Sequence, residues 1–270
     1  MQQLTEWADF RWPNAIWAWE FLRRNPNYKQ DFERYLGEGP VQSRLPSGSR
    51  LLIGDARYEA ARAWGLLYFA DPNLTAYEAG VFWKPSTLAA TIPVSLRDPM
   101  REKDRERYGS SKADDMVILS ELSCKRLLFE SINNSRHVLL APRRLWIQLY
   151  CDSAHPLGDT ALVNFRIEGA RRVNERITSL QHLIQLHRSV GRKLSTIGHR
   201  RNTDRLAQAL IALDVKAAGG SYKDIGREIF PKLFTKSNYQ KHKSALKQKA
   251  VRAYDRGRIY RDGKYLDLLS

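Results

Sequence analysis

The residue types best able to do chemistry cluster near the end of the chain. Lys236 to Arg252 reads KSNYQKHKSALKQKAVR. Asn238, Gln240, Lys241 and Ser244 carry the donors and acceptors that read base edges. Asn and Gln make paired hydrogen bonds to adenine, and Lys donates to guanine acceptors. Lys236, Lys243, Lys247, Lys249 and Arg252, with Tyr222 and Lys223 upstream, suit phosphate oxygens. Leu246, Ala250 and Tyr254 recur at helical spacing, so one face can seat on a core while the cations line the other. The bland competitor is a solvated basic helix face on a helical bundle.

The charge distribution favours the binding reading. The 270 residues hold 45 Lys+Arg against 29 Asp+Glu, a formal net charge of +16. Residues 200–270 hold 17 of those cations and only 7 of the acids. A quarter of the chain thus carries most of the excess, the footprint of a nucleic-acid-binding module.

Three helices with their own stop signals must position this segment. The first spans roughly 203–217, with Leu206, Ala209, Leu210, Leu213 and Ala217 as its stripe and Gly219-Gly220 as its end. The second opens on a capping box, Ser221-x-x-Asp224, buries Ile225, Ile229 and Phe230, and closes at Pro231. The third opens at Ser237-x-x-Gln240 and runs to about Arg256, with Gly257 just beyond. The last two, joined by residues 231–236, have the order of a helix-turn-helix, whose second helix enters the major groove. Asp262-Gly263, between Ile259-Tyr260-Arg261 and Lys264-Tyr265-Leu266, predicts a type I′ hairpin. That hairpin would act as a wing, with Arg261 and Lys264 touching phosphate.

Upstream, two short helices are expected before residue 37, the first rich in aromatics (Trp17, Trp19, Phe21) and the second with Tyr28, Phe32, Tyr35 and Leu36 on one face. Residues 37–50, rich in Gly, Pro and Ser, read as a linker. Residues 97–115 are highly charged with no apolar period and read as an exposed connection. Between Met116 and Ile167 the runs MVIL, KRLLF, HVLL, RLWIQLYC and ALVNFRI predict a small antiparallel sheet. A helix follows over 168–190, with Val173, Ile177, Leu180 and Ile184, then Leu183 or His187, on its stripe. The expected class is α+β: a helical N-terminal region, a small antiparallel β-sheet in the middle, and a C-terminal helix-turn-helix domain with a wing. The expected divisions are 1–105, 110–195 and 196–270.

Other chemistries are poorly served. Cys124 and Cys151 make neither a disulfide framework nor a zinc site by themselves. The six histidines include no HxxxH pair with a Glu between, so no metal and no cofactor is expected. Asp114, Asp115 and Glu121 with Lys125 form a nuclease-like acidic cluster, a pattern that charged turns produce often. No apolar run approaches about 18 residues, and the first residues lack the pattern of a secretory signal. A cytoplasmic protein without membrane partners is expected.

Three upstream segments carry a resemblance. WAWEFLRRNPNY (Trp17 to Tyr28), WGLLYFADP (Trp64 to Pro72) and FWKP (Phe82 to Pro85) resemble an N-terminal transcriptional regulator domain common in proteobacteria. The segment from ALIALDVKAAGGSYKDIGREIF to DGKYLDLL resembles the helix-turn-helix domain that often accompanies it. Together they are similar to transcriptional activators that control excision of integrative and conjugative elements. The resemblance implies a regulator of a mobile element that binds double-stranded promoter DNA and is held in check by a small antiactivator protein; the N-terminal and β regions would then position it, dimerise, or contact RNA polymerase or a regulator. It places Ser221, Tyr222 and Ile225 in the supporting helix, and Gly263, Tyr265, Leu268 and Leu269 in the terminal hairpin. Pro231 departs from the family, which usually has Gly after the pair matching Ile229-Phe230. The lysine-rich segment also departs, because relatives favour arginine. Operator sequence therefore does not transfer. The competing function is a protein-binding, antiactivator-like regulator with little DNA affinity of its own.

Overall fold

The fold is described from a computed structural model. It covers residues 12–36, 40–45, 48–54, 59–97, 117–119, 122, 124–131, 135–141, 145–151, 162–165, 172–188, 200–234 and 236–270. The class is α+β. Chain contacts divide it into two compact units, Met1–Lys29 with Thr196–Leu268, and Gln30–Ser195 with Leu269–Ser270.

The second unit is built on one eight-stranded sheet. Its strands are β1 (Val41–Arg44), β2 (Arg50–Gly54), β3 (Ile92–Arg97), β4 (Val117–Ile118), β5 (Lys125–Ser131), β6 (Arg136–Ala141), β7 (Ile147–Cys151) and β8 (Leu162–Phe165). Their order is β1-β2-β5-β6-β7-β3-β8-β4. All neighbours are antiparallel except β2/β5 and β3/β7. The sheet is larger than the expected one because it recruits three strands from before residue 98. Residues 37–50, expected as a linker, contribute β1 and the first residue of β2. β1 is exposed along its whole length. As an edge strand it needs only backbone pairing with β2, so it carries no apolar alternation for a sequence reading to detect. The charged run 97–115 and the acidic cluster Asp114, Asp115 and Glu121 lie outside the described residues, apart from Arg97 at the end of β3.

Each sheet face has its own cover. On one, Leu128, Val138, Leu140, Ile147 and Leu149 meet Leu183 and Leu186 of a helix from Val173 to Arg188. The stripe of this helix is therefore rotated from the expected one. Ser179, Leu183 and Leu186 are buried, whereas Ile177 and Ile184 are each 38% exposed. The sequence holds two apolar faces on adjacent sides, and period alone cannot choose between them. On the other sheet face Tyr68 stacks on Phe129, with ring centroids 5.4 Å apart, and Phe82 lies 5.8 Å from Phe129. The Tyr68 hydroxyl donates to the Gly80 carbonyl at 2.6 Å. Trp83 pairs with Leu66 as an isolated bridge, and the Gln148 amide bonds both the N–H and the carbonyl of Trp83. Two short helices, Glu59–Ala63 and Ala76–Ala79, serve this layer.

The first unit is all helical among its described residues. In chain order the helices among the described residues are α1 (Asn14–Leu22), α2 (Pro26–Arg34), α3 and α4 (the two short ones), α5 (Val173–Arg188), α6 (Arg200–Ala217), α7 (Tyr222–Ile229) and α8 (Lys236–Arg261). One 3-10 turn, Pro231–Leu233, links α7 to α8, and another, Lys264–Leu268, follows α8. α1 ends before Asn25, whose side-chain oxygen accepts from the N–H groups of Asn27 and Tyr28. Pro26 then fits at the first position of α2. Eight of the nine residues of α1 are buried. It packs on α6, α8 and the 3-10 turn Lys264–Leu268.

The expected hairpin does not form. α8 continues through Gly257 to Arg261, and Lys264–Leu268 is a 3-10 turn, so there is no wing. Gly263 takes a φ of +148° between them. Gly257 fails to stop the helix because it faces α6 at close quarters. A Cβ there would lie 2.7 Å from the Ala209 carbonyl oxygen and 2.8 Å from Leu213 Cγ. Among the described residues, no helix is long and apolar enough to cross a membrane.

His137, 1% exposed on β6, gives the second unit an acid-sensitive core. Burial pushes its pKa down to about 3. The unfolded chain takes up that proton near pH 6.5, the folded chain only near 3. Stability should therefore fall as pH drops below about 6.5, by up to ~1.4 kcal/mol per pH unit. Urea unfolding at pH 7 and pH 5 checks this. The loss should shrink in His137→Phe, and an identical loss in the variant would contradict it.

Candidate nucleic-acid interface

The interface begins with the packing of three helices. α6 supplies Leu206, Ala209, Leu210, Ala212 and Leu213, all buried, and stops at Gly219, whose φ is +81°. α7 starts on a formed capping box. The Ser221 hydroxyl accepts from the Asp224 N–H, and the Asp224 carboxylate accepts from the Ser221 N–H at 2.9 Å. The Ser221 hydroxyl also donates to the Asp224 carboxylate at 2.6 Å, and this bond, with the one from the Ser221 N–H, holds the Asp224 carboxyl below its ordinary range. Ile225 of α7 meets Ala212, Ala250 and Ala253 in a small apolar cluster that Ile229, Tyr222 and Tyr254 border. The Gly226 position abuts the Phe234 ring, where an added Cβ would lie 3.1 Å from the ring tip.

α8 is split lengthwise by this packing. Leu246, Ala250, Ala253 and Gly257 face inward. At 100° per residue the opposite face falls on Ser244 and Gln248, with Lys247 on one flank and Lys249 and Arg252 on the other. Lys243, Ser244, Lys247, Gln248, Lys249 and Arg252 are all exposed. Among the described residues, none of these four lysines and arginines is drawn into an ion pair. Lys249 lies over the Phe230 ring, 5.3 Å from its centroid. That contact fixes its stem beside the α7–α8 turn and leaves the charge outward.

The other sequence-derived positions fall as follows. Lys236, Asn238, Gln240 and Lys241 lie in the first turns of α8, and their side chains are outside the described residues. The α8 helix opens at Lys236, one residue ahead of the expected start. Tyr222 is half-buried, its ring edge-on to Tyr254 at 6.1 Å and under Lys216 Nζ at 5.1 Å. Lys223 is exposed on α7. Arg261, at the far end of α8, is paired with Asp262 at 2.6 Å, which raises its pKa further, and its carbonyl accepts from Asn25. Lys264 is exposed on the closing turn. The structure thus brings Ser244, Lys243, Lys247, Lys249 and Arg252 onto one exposed stretch of helix and sets Arg261 and Lys264 at its other end.

Sequence reasoning passed over two polar residues. Gln248 stands opposite the buried stripe, and its position four residues after Ser244 was the available signal. Lys232, exposed on the 3-10 turn between α7 and α8, was hidden by the attention that Pro231 draws.

Among the described residues no group of three or more His, Cys, Asp or Glu could hold a metal ion. What the arrangement offers is a rigid row of cations interspersed with amide and hydroxyl groups, without a carboxylate among them from Lys243 to Lys249. This row suits a polyanion that also presents hydrogen-bonding edges.

Comparison with known families agrees. Residues 163–270 match the family described as T6SS, transcription factor, DNA binding domain. That segment is thus similar to a transcription factor's DNA-binding domain. Residues 11–69 match the proteobacterial transcriptional regulator-like domain. The regulator thus joins two domain types described by regulation and DNA binding, neither by catalysis. No curated protein matches the chain.

Gly257→Ala tests the helix packing that presents this regulator's cationic face. The added methyl meets backbone of α6, so the first unit should lose about 1–3 kcal/mol. Denaturant unfolding checks this, and unchanged stability would contradict the close approach.

Proposed function

We propose that this protein is a sequence-specific transcriptional activator that grips promoter DNA with α8 of a helix-turn-helix. The observation that carries the reading is the exposed, unpaired cation row from Lys243 to Arg252 within the segment that matches a DNA-binding domain. In it α7 supports and α8 enters the major groove. Asn238, Gln240, Lys241 and Ser244 read base edges, with Gln248 beside them. Lys223, Lys236, Lys243, Lys247, Lys249 and Arg252 neutralise phosphates and release counterions. Tyr222 supports from the side, and Arg261 and Lys264 serve phosphate only on DNA long enough to reach the far end of α8.

RNA polymerase and a small antiactivator are the proposed protein partners, on the strength of the family resemblance. The same resemblance, carried by Trp17 to Tyr28 and Trp64 to Pro72, supports excision or transfer genes of a mobile element as targets. The description of the family matched over 163–270 names T6SS instead. Genome-wide mapping of bound sites with adjacent transcript levels separates the two.

Two variants test the DNA contact. Lys247→Ala should weaken binding about equally across sequences and reduce the slope of log affinity against log salt by about one. Gln240→Ala should cost about 1–3 kcal/mol on the preferred site and relax discrimination there. Gel shifts over a salt series read both. A wild-type chain that forms a stable protein complex but shows no salt-dependent DNA affinity would favour the antiactivator-like reading instead.

A further inference from the structure

We propose that residues 14–25 are a working part of the DNA-binding unit, and that α8 binds DNA only while α1 is docked behind it. The inference rests on the DNA-binding reading above and adds a docking surface and its occupant. The surface is made by α6, the last turns of α8 and the turn Lys264–Leu268. The occupant is α1 of the same chain.

The docking chemistry is specific. Arg24, just past α1, makes a two-pronged ion pair with Asp214 of α6, Nε to Oδ1 at 2.6 Å and Nη2 to Oδ2 at 2.9 Å. Its third nitrogen, Nη1, donates to the Glu20 carboxylate at 2.8 Å and to the Glu20 carbonyl at 2.6 Å. Glu20 is 1% exposed and also accepts from Arg23 at 2.6 Å. A buried carboxylate of this kind is tolerable only with its cations in place. Asn25 Nδ2 donates to the Arg261 carbonyl at 2.8 Å, which satisfies an acceptor that the end of α8 would otherwise leave open. Phe21 stacks on Tyr260 with centroids 5.0 Å apart. Trp17, Trp19, Phe21 and Leu22 are each at most 1% exposed.

The consequence for DNA follows from the stiffness of one helix. α8 is 26 residues long, so its two halves move together. Its first half carries the cation row. Its second half is clamped between α6, through Gly257, and α1, through Tyr260 and Arg261. Removing residues 14–25 would uncover the Tyr260 ring and leave Asp214 and the Arg261 carbonyl without their α1-side partners, so the end that sets the direction of the cation row would lose contacts that hold it. On this view the start of the first matched segment, residues 14–25, packs in the same unit as α6, α7 and α8 of the second.

Full-length Arg24→Ala and Arg24→Lys test the proposal, with Asn25→Ala as the milder variant in case the first fails to fold. Two readouts are needed: amide hydrogen exchange of the free protein, and affinity for mixed-sequence duplex DNA at low salt. Arg24→Ala should raise exchange in α6 and in residues 253–261 by at least about tenfold and weaken DNA binding by at least about tenfold, with Arg24→Lys in between. Asn25→Ala should show the same pattern at smaller amplitude. Unchanged exchange in all three variants overturns the docking role. Raised exchange with undiminished DNA affinity overturns the dependence. Wild-type protein without DNA affinity would instead mark failure of the DNA-binding reading, and the exchange measurement is independent of it.

Discussion

The inward seating of Leu246, Ala250, Ala253 and Gly257 is the constraint on which the rest of the first unit depends. Ala250, Ala253 and Gly257, being small, let α8 approach α6 and α7 closely. Once that stripe is buried, helical period leaves Ser244 and Gln248 no direction but outward, and Lys247, Lys249 and Arg252 must flank them. The placement of the cation row is thus a by-product of core packing. The core fixes the backbone that carries the charges, so a polyanion would have to order only the exposed side chains and not the helix, which lowers the cost of binding.

The two halves of the same helix differ in what they carry. Its last turns have no lysine row. They carry a glycine for close approach, an aromatic ring for α1 and a carbonyl for Asn25. One element therefore carries the exposed cation row at one end and the packing contacts at the other. The sheet of the second unit is held by different means: two covered faces, an amide that brackets Trp83, and a histidine kept neutral by burial.

Much of this was legible in the residues, for reasons that differ by element. The capping box at Ser221, the stop at Gly219-Gly220 and the stripe of α6 are local signals, set by backbone groups that must be satisfied nearby, and they appear where the sequence put them. The exposed face of α8 was legible because lysines do not bury. The hairpin at Asp262-Gly263 was misread because turn chemistry is shared. The same Gly serves a turn after a helix, and only the tertiary approach of α6 at Gly257 decides that the helix runs on. β1 was missed because an edge strand needs no side-chain pattern. The aromatics of α1 pointed to a buried or docked helix, but its docking partners were not legible, since Arg24 and Asp214 are 190 residues apart and nothing local announces their pairing.

The most direct measurement is site-specific photocrosslinking to duplex DNA from single positions on α8. The account predicts crosslinks from positions 244 and 248, on the outward side of the cation row. It predicts none from position 259, which is 57% exposed but lies in the clamped half. Efficient crosslinking from 259 with none from 244 or 248 would contradict the account.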